Sequence, residues 1–495
     1  MGLVSAPTRR YSPARWAGRA VPFSELARVG ATPGYGTADR LDPFWGGMWT
    51  QGSSALWVSR KLIDERVAAG LARLPSSLTM SDAEAEATLT SGRHLGSWMA
   101  GLGVLDQWRT VSAEQLAAFS GWPVLGTPDP HALVALLRLG VIERGVFTAG
   151  VLPGANLDRS TLFRPSRSDA FDEHVKPLLS WEQQVAVTGG LPWDFRRQYD
   201  RHNLLASELA LRVAEFCEVG TVLGEKLSDV SLLLGGAPSG GGHAADLTIV
   251  RADGLRIAVE MTASTGRLFG QKVRRWARLL ADKSLASSGL MVLFVEAAPT
   301  DAATRWGRGA SERSSVYKEI RDVVREFPGT GADRVAERIG VVSWSQWFPN
   351  PGMATREFTT LEVDRPTGPL QAMWERAGLL DVIEVPFTPH QPEAMTAVIG
   401  NAATLLGTPH WLRRGRRLHL WPAQAQRVGW RDGLPVPPPS RESRFSGERS
   451  EACRGVVGVT TPPVRMRADV ANPTERIATK TAALAAVGTP SAVGW

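Results

Sequence analysis

Along the chain the hydrophobic positions switch between two periods, and the switches mark out its elements. Leu95, Met99, Leu102 and Leu105 recur at helical spacing and predict a helix over roughly Arg93 to Trp108. Ser112, with Gln115 three residues on, is a capping box opening a short helix, AEQLAAFSG. Asp129-Pro130 opens a third helix, HALVALLRLG, with Gly140 at its end. VIERGVFTAG and STLFRPS then read as two strands. A long helix from Asn203 to Glu218 follows, with Leu205, Leu209, Val213 and Phe216 on one stripe and Glu208 beside it. Thr221 to Gly224 and Val230 to Leu234 read as a first strand with an excursion. Leu247 to Ala252 and Leu255 to Met261 are strand-like and flank Asp253-Gly254, the dipeptide favoured where a two-residue hairpin needs positive φ. Next comes a basic amphipathic helix with Phe269, Val273, Trp276 and Leu280 on its apolar stripe. Ser287 to Glu296 reads as a buried strand, Tyr317 to Phe327 and Ala332 to Ile339 as helices, and Val341 to Trp347 as a final strand.

Elsewhere the pattern weakens. Trp45, Trp49 and Trp57 cluster in a Gly- and Ser-rich stretch. A small hydrophobic cluster closing over the next domain is favoured over a base-stacking platform, because only Arg60 and Lys61 follow as cations. Pro75 to Thr90 reads as an exposed, helix-compatible linker, and Leu370 to Leu379 as a short helix. These divisions give an N-terminal segment over 1–90, a helical domain over 91–170, an α/β domain over 195–350, an extension over 351–400 and a tail over 401–495.

Composition adds a placement of charge. The 495 residues carry a net charge of +7, yet fourteen Arg and Lys against six Asp and Glu lie from residue 401 onward. The rest of the chain is therefore close to neutral. The tail is rich in Arg, Pro, Gly and Ser and buries too little to offset its ordering entropy, which predicts disorder. Its Arg413, Arg414, Arg416 and Arg417 form a cluster suited to sequence-independent phosphate contact. The hydrophobic fraction of 43% supports globular packing, with two or three domains expected at this length. No run is long enough to span a bilayer, the N-terminus lacks an apolar leader stretch, and two cysteines make no disulfide framework; the cytoplasm is the expected compartment. The glycine run from Gly235 to Gly242 lacks the Lys-Ser/Thr ending of a phosphate-binding loop.

The candidate chemistry sits in the hairpin. Asp246 opens one strand and Glu260 closes the next, and antiparallel pairing brings those two ends together. Two carboxylates a metal ion apart suit Mg²⁺- or Mn²⁺-assisted phosphodiester cleavage. The bland alternative is a pair of solvent-exposed strand ends. On its helix, Lys272 lies about 60° from the apolar stripe and can reach a pocket over the sheet. Glu208 is a candidate additional metal ligand. In the third helix and the strand after it, His131, Arg138 and Arg144 are the few candidate DNA contacts, a poor set for reading bases.

These residues carry a resemblance. The helical stretch looks like a winged helix, and an acid opening one strand, an acid closing the next and a following basic helix resemble the PD-(D/E)XK nuclease core. More narrowly, Arg201-His202-Asn203-Leu204, Ala245-Asp246, Val259-Glu260-Met261-Thr262 and Gln271-Lys272 resemble the replication-relaxation family of actinobacterial plasmids and mobile elements. The resemblance covers roughly residues 90 to 300. It implies an α+β / α/β multidomain protein, with a winged helix followed by a restriction-endonuclease-like αβββαβ domain. It departs at Thr262, where a cleaving member carries Lys two residues after the second acid. Two function classes stay open: a metal-dependent DNA endonuclease of plasmid or mobile-element maintenance, and a catalytically silent DNA- or protein-binding accessory factor on the same fold. A regulator using the winged helix alone is a third. DNA and other replication or mobile-element proteins are the expected partners, and a membrane is not.

Overall fold

The computed structural model describes residues 18–49, 53–71, 75–147, 161–189, 191–193, 199–234, 243–251, 254–263, 265–298, 308–331, 333–381 and 405–413, with the backbone of 10–11, 430–431 and 434–435. Two strands, β1 (Arg10–Tyr11) and β2 (Ala20–Pro22), come first. They pair with elements far along the chain, as given below. Next come β3 (Ala55–Val58) and α1 (Arg60–Ala68). A helical unit follows: α2 (Asp82–Thr90), α3 (Leu95–Trp108), β4 (Val111–Ser112), α4 (Ala113–Ser120), α5 (His131–Arg138), β5 (Ile142–Phe147), β6 (Thr161–Pro165) and α6 (Trp181–Thr188). The expected capping box at Ser112 and Gln115 is formed, and Gly140 has φ +74°, ending α5 as its sequence implied. Antiparallel β3, β5, β6 and β4 make a four-stranded sheet in that order, so the Trp57 strand extends the expected pair of strands, β5 and β6.

The second unit opens with α7 (Asp200–Phe216), β7 (Thr221–Gly224), α8 (Val230–Leu233), β8 (Leu247–Val250), β9 (Arg256–Thr262), α9 (Arg267–Asp282) and β10 (Leu290–Glu296). It continues through α10 (Arg308–Glu326), α11 (Val335–Arg338), β11 (Ile339–Ser343), α12 (Trp344–Trp347), β12 (Met353–Thr355), β13 (Glu362–Thr367) and β14 (Met373–Gly378). Its eight-stranded sheet has the order β1-β14-β13-β11-β10-β9-β8-β7. The pairs β9–β10 and β10–β11 are parallel, and the others antiparallel. Separately, β12 pairs with β2. The expected order of helix, three strands, helix and strand is present, and the sheet then extends beyond Val341 to Trp347. Three expectations are corrected. Val230 to Leu233 is helical. Ile339 to Ser343 is an inner strand rather than the last, and Leu370 to Leu379 supplies strand β14, where pairing with β13 outweighs the helix preference of Met, Glu and Arg.

Both faces of the sheet are covered. On one, Leu247, Ile257, Val259, Leu293 and Val295 join a cluster with Leu209 and Val213 of α7. That cluster continues without a break into Trp98, Leu105 and Phe119 of the helical unit and Phe23 and Phe44 of the N-terminal segment. On the other face, Ala258, Val292 and Phe294 pack against Phe269, Val273 and Trp276 of α9 and Ile320 of α10. The two units thus share one core.

The stretch expected as an exposed linker is largely exposed, but its helix is packed along one side. Within it, α2 buries Ala85, Thr88 and Leu89, with α5 among its neighbours. The tail boundary also shifts. Residues 405–413, ending in α13 (His410–Arg413), dock on α3, α4, α6 and α7. Leu406 and Leu412 are buried, and the Leu406 N–H donates to the Ala186 carbonyl at 2.8 Å. The indole N–H groups of Trp108 and Trp411 donate to the carbonyls of Gly407 and Ala214. A Cβ built on Gly103 would stand 2.4 Å from that of Leu406, so this approach of α3 to the docked segment requires glycine.

Candidate functional site

The hairpin brings its acids together as the sequence implied. Leu247 pairs with Val259, and the Asp246 N–H donates to the Val259 carbonyl at 3.0 Å. The Asp246 carboxylate accepts the Met261 N–H at 2.6 Å, which fixes its orientation across the strand pair. Glu260 shares the sheet face of Ala258 and is fully buried under α9. There Lys272 donates to Glu260 Oε2 at 2.6 Å and the Trp276 indole donates to Oε1 at 2.6 Å. Lys272 and Trp276 stand one helical turn apart, so both reach the same carboxylate. The surface-acid alternative is therefore excluded for Glu260.

Burial, with the Asp246 charge adding to it, pushes the Glu260 carboxyl up to about 7; Lys272 holds it back from going further. For Lys272, burial acts to lower the ammonium pKa, but the Glu260 and Asp246 carboxylates outweigh it and the net shift is upward.

Two histidines join this site. His243 lies 3.8 Å from Glu260 Oε1, its ring 4.6 Å from that of Trp276. Burial, assisted by Arg275 and Lys272, pushes it down to about 3, so it is a neutral imidazole. His202, in the first turn of α7, is lowered by burial, with Asp246 opposing and Lys272 and Arg201 adding to the shift. Trp49 packs edge-on to it at 5.2 Å and donates to the Ala297 carbonyl at 2.7 Å. Trp49 therefore closes over this site in the second unit, while Trp57 lies in β3, stacks against Arg164 and donates to Asp200 at 3.0 Å. Sequence reading gave neither histidine a role; the only available signal was the His202 position in the Arg201–Leu204 motif.

Glu208 lies elsewhere and is corrected as a metal ligand. It is buried on α7, with Oε1 accepting from Arg40 at 2.9 Å and Arg212 at 3.1 Å, and Oε2 from Arg40 at 3.2 Å and Gln115 at 3.3 Å. Arg212 also pairs with Asp42 at 2.6 Å, and Thr37 donates twice to Glu215. Two guanidinium groups already neutralise Glu208, so this network ties residues 37–42 to α7 and α4 and leaves no vacancy for a cation.

The candidate DNA contacts of the helical unit are also engaged internally. Arg138 pairs with Asp82 at 2.6 Å and Asp64 at 2.9 Å. His131 meets Thr88 at 3.2 Å, and Arg144 pairs with Asp129 at 3.1 Å. With α2 packed on it, α5 buries every residue from Ala132 to Leu137. Arg413 is buried and donates to the Ser120 carbonyl, so it is part of the core. Arg414, Arg416 and Arg417 lie outside the described residues.

Among the described residues, no group of three or more His, Cys, Asp and Glu side chains could hold a metal ion. No helix among them is long and apolar enough to cross a membrane. Comparison with protein-family models, with curated proteins and with solved structures gave no match.

Proposed function

We propose that the chain acts on DNA, with Asp246, Glu260 and Lys272 forming a divalent-metal-dependent phosphodiester-cleaving site. The observation that carries this reading is the Lys272 ammonium 2.6 Å from Glu260 Oε2, with Asp246 held beside it across the strand pair. Thr262 occupies the position where the resembling family keeps its cation, and Lys272 of α9 supplies one to Glu260 instead. The two carboxylates are a donor set of the kind Mg²⁺ or Mn²⁺ takes. Mg²⁺ takes one or two protein carboxylates and keeps several waters, and this site offers two. Asp246 and Glu260 would hold the ion, which supplies Lewis-acid polarisation of the phosphate and a more acidic water. Lys272 would stabilise the negative charge developing on the phosphorus oxygens. The helix-strand order of the first unit supports a winged-helix reading, and that of the second a nuclease-core reading, within a mixed α+β chain. A role in plasmid or mobile-element replication or maintenance rests on the family resemblance.

The test is supercoiled plasmid incubated with pure protein, with and without Mg²⁺ or Mn²⁺. Metal-dependent nicking is expected for the wild type and none for Asp246→Ala. For Lys272→Ala the rate is expected to fall about 10²-fold or more, the scale of losing one transition-state charge contact. Absence of nicking by the wild type refutes the reading. A second reading, a catalytically silent accessory factor, would then stand. It draws on the engagement of both Glu260 oxygens by Lys272 and Trp276, which lets an ammonium balance the acids without a metal.

A further inference from the structure

The solvent face of α9 carries a charge pattern that the acid–lysine site does not use. Of its sixteen residues four are Arg and one is Lys, against the single acid Asp282. Phe269, Val273, Trp276 and Leu280 face the core. At 100° per residue, Arg267, Gln271, Arg275 and Arg278 fall within about 80° of one another on the opposite side. All four are exposed. The two flanks of this stripe differ. On one, Arg274 is neutralised by Glu319 at 3.2 Å and Glu326 at 3.1 Å on α10. On the other, Lys272 turns inward to Glu260, and the charge of Arg275 acts on both Lys272 and His243. Arg267 and Arg275 form no ion pair with any acid of the described residues, and Arg275 stands on the flank of the stripe nearer Lys272.

We infer that this stripe is a contact for the phosphate backbone of duplex DNA, laid so that the backbone passes the Asp246–Glu260–Lys272 site. Arg267 and Arg278 are eleven residues apart, about 16 Å along the axis, or roughly half a turn of duplex. The buried apolar side of α9 decides the mode of contact. α9 is packed on the sheet by half its circumference, and three of the four residues of its outward stripe are arginines. It lies against the backbone, where arginine binds phosphate without reading sequence. The same burial argues against a membrane surface, because an interfacial helix needs its apolar face free to enter the lipid. The inference deepens the proposed function and takes DNA as the substrate from it. It moves the contact from the helical unit, whose Arg138 and Arg144 are already paired.

The experiment is fluorescence anisotropy of a labelled duplex with the full chain, in EDTA, across a salt series. The variants are Arg267→Glu/Arg275→Glu and, as a control, Arg138→Gln. Loss of two phosphate contacts is expected to lower the slope of log K against log salt by about 2, with at least a 10-fold loss of affinity for the double variant and no change in slope for Arg138→Gln. Circular dichroism of the double variant must match the wild type, since both positions are exposed. An Arg267→Lys/Arg275→Lys variant, which restores charge without the guanidinium, should recover most of the affinity. Unchanged affinity and slope in the charge-reversed variant would overturn the inference even where plasmid nicking is observed. Salt-dependent binding through α9 without nicking would uphold it while the nuclease reading fails. Absence of any DNA binding, or Arg275-dependent capture of phosphatidylserine vesicles in its place, would overturn it as well.

Discussion

Leu406 offers the sharpest test of where the folded core ends. Its side chain is fully buried, and it sits against Gly103 of α3 so closely that a Cβ there would overlap it. Leu406→Ala removes three carbons from this fully buried side chain. Large-to-small substitutions of a buried leucine cost about 2–5 kcal/mol, and the spread reflects how far the surroundings can collapse into the cavity. Here collapse is opposed. The Leu406 N–H is tied to the Ala186 carbonyl at 2.8 Å, and the next carbonyl, of Gly407, is tied to the Trp108 indole at 2.7 Å. The cost should therefore lie in the upper half of that range, about 3–5 kcal/mol. Urea titration followed by tryptophan fluorescence reads it as a lower midpoint of the first unfolding transition. A chain cut after Arg413 should keep the wild-type midpoint. If Leu406→Ala lies within about 1 kcal/mol of wild type, the typical scale of an ordinary point substitution, residues 405–413 are not docked as described.

Three further outcomes follow from buried charge. Arg40→Met leaves Glu208 facing Arg212 alone in the interior and should destabilise by about 3–5 kcal/mol, read by the same titration; Glu208→Gln should leave any Mg²⁺-induced shift in melting temperature intact, and loss of that shift would restore Glu208 as a ligand. The folded-state pKa of Glu260, about 7, lies above its ordinary 4.5. The folded state therefore holds this proton more tightly, and its contribution is complete below pH 4.5 and lost as pH rises through about 7. At about 1.4 kcal/mol per pH unit the loss is on the order of 3 kcal/mol. Wild type should thus lose stability relative to Glu260→Gln between pH 5 and 8, and parallel profiles for the two would refute the buried-acid account.

What the sequence disclosed was local. The Asp253-Gly254 dipeptide and the strand patterns beside it were enough to set Asp246 against the Glu260 strand. Asp253 lies outside the described residues, and the Arg251–Leu255 pairing leaves one residue more between the strands than the expected two-residue turn. The 3.6-residue period placed Lys272 toward them. Partners remote in sequence were not legible. Glu208 reads as a solvated or ligating acid until Arg40 arrives from 168 positions away. Arg413 reads as one of a run of cations, and only its carbonyl partner, 293 positions away, makes it a core residue. Small side chains hid another contact. Ala85, Thr88 and Leu89 bury α2 without giving it a visible apolar stripe, so a packed helix reads as a linker. Trp49 gave a hydrophobic signal but no address, because its target, His202, is an ordinary polar residue at a helix start.

The docked segment meets the N-terminal segment directly, with Thr32 Oγ1 2.9 Å from His410 Nε2 across a separation of 378 positions. Closing so long a loop costs little more in equilibrium entropy than closing one half its length, about 0.6 kcal/mol. Its weight falls on the timing of synthesis. Domains generally fold from the N-terminus as they leave the ribosome. Here the faces of α3, α4 and α7 that receive residues 405–413 are made long before their cover. Until Arg413 emerges, a nascent chain presents the Gly103 face and the Trp108 indole to solvent, with both units largely assembled. The fold is thus completed late, and the interval before completion is when this protein depends most on whatever shields unfinished chains in the cell.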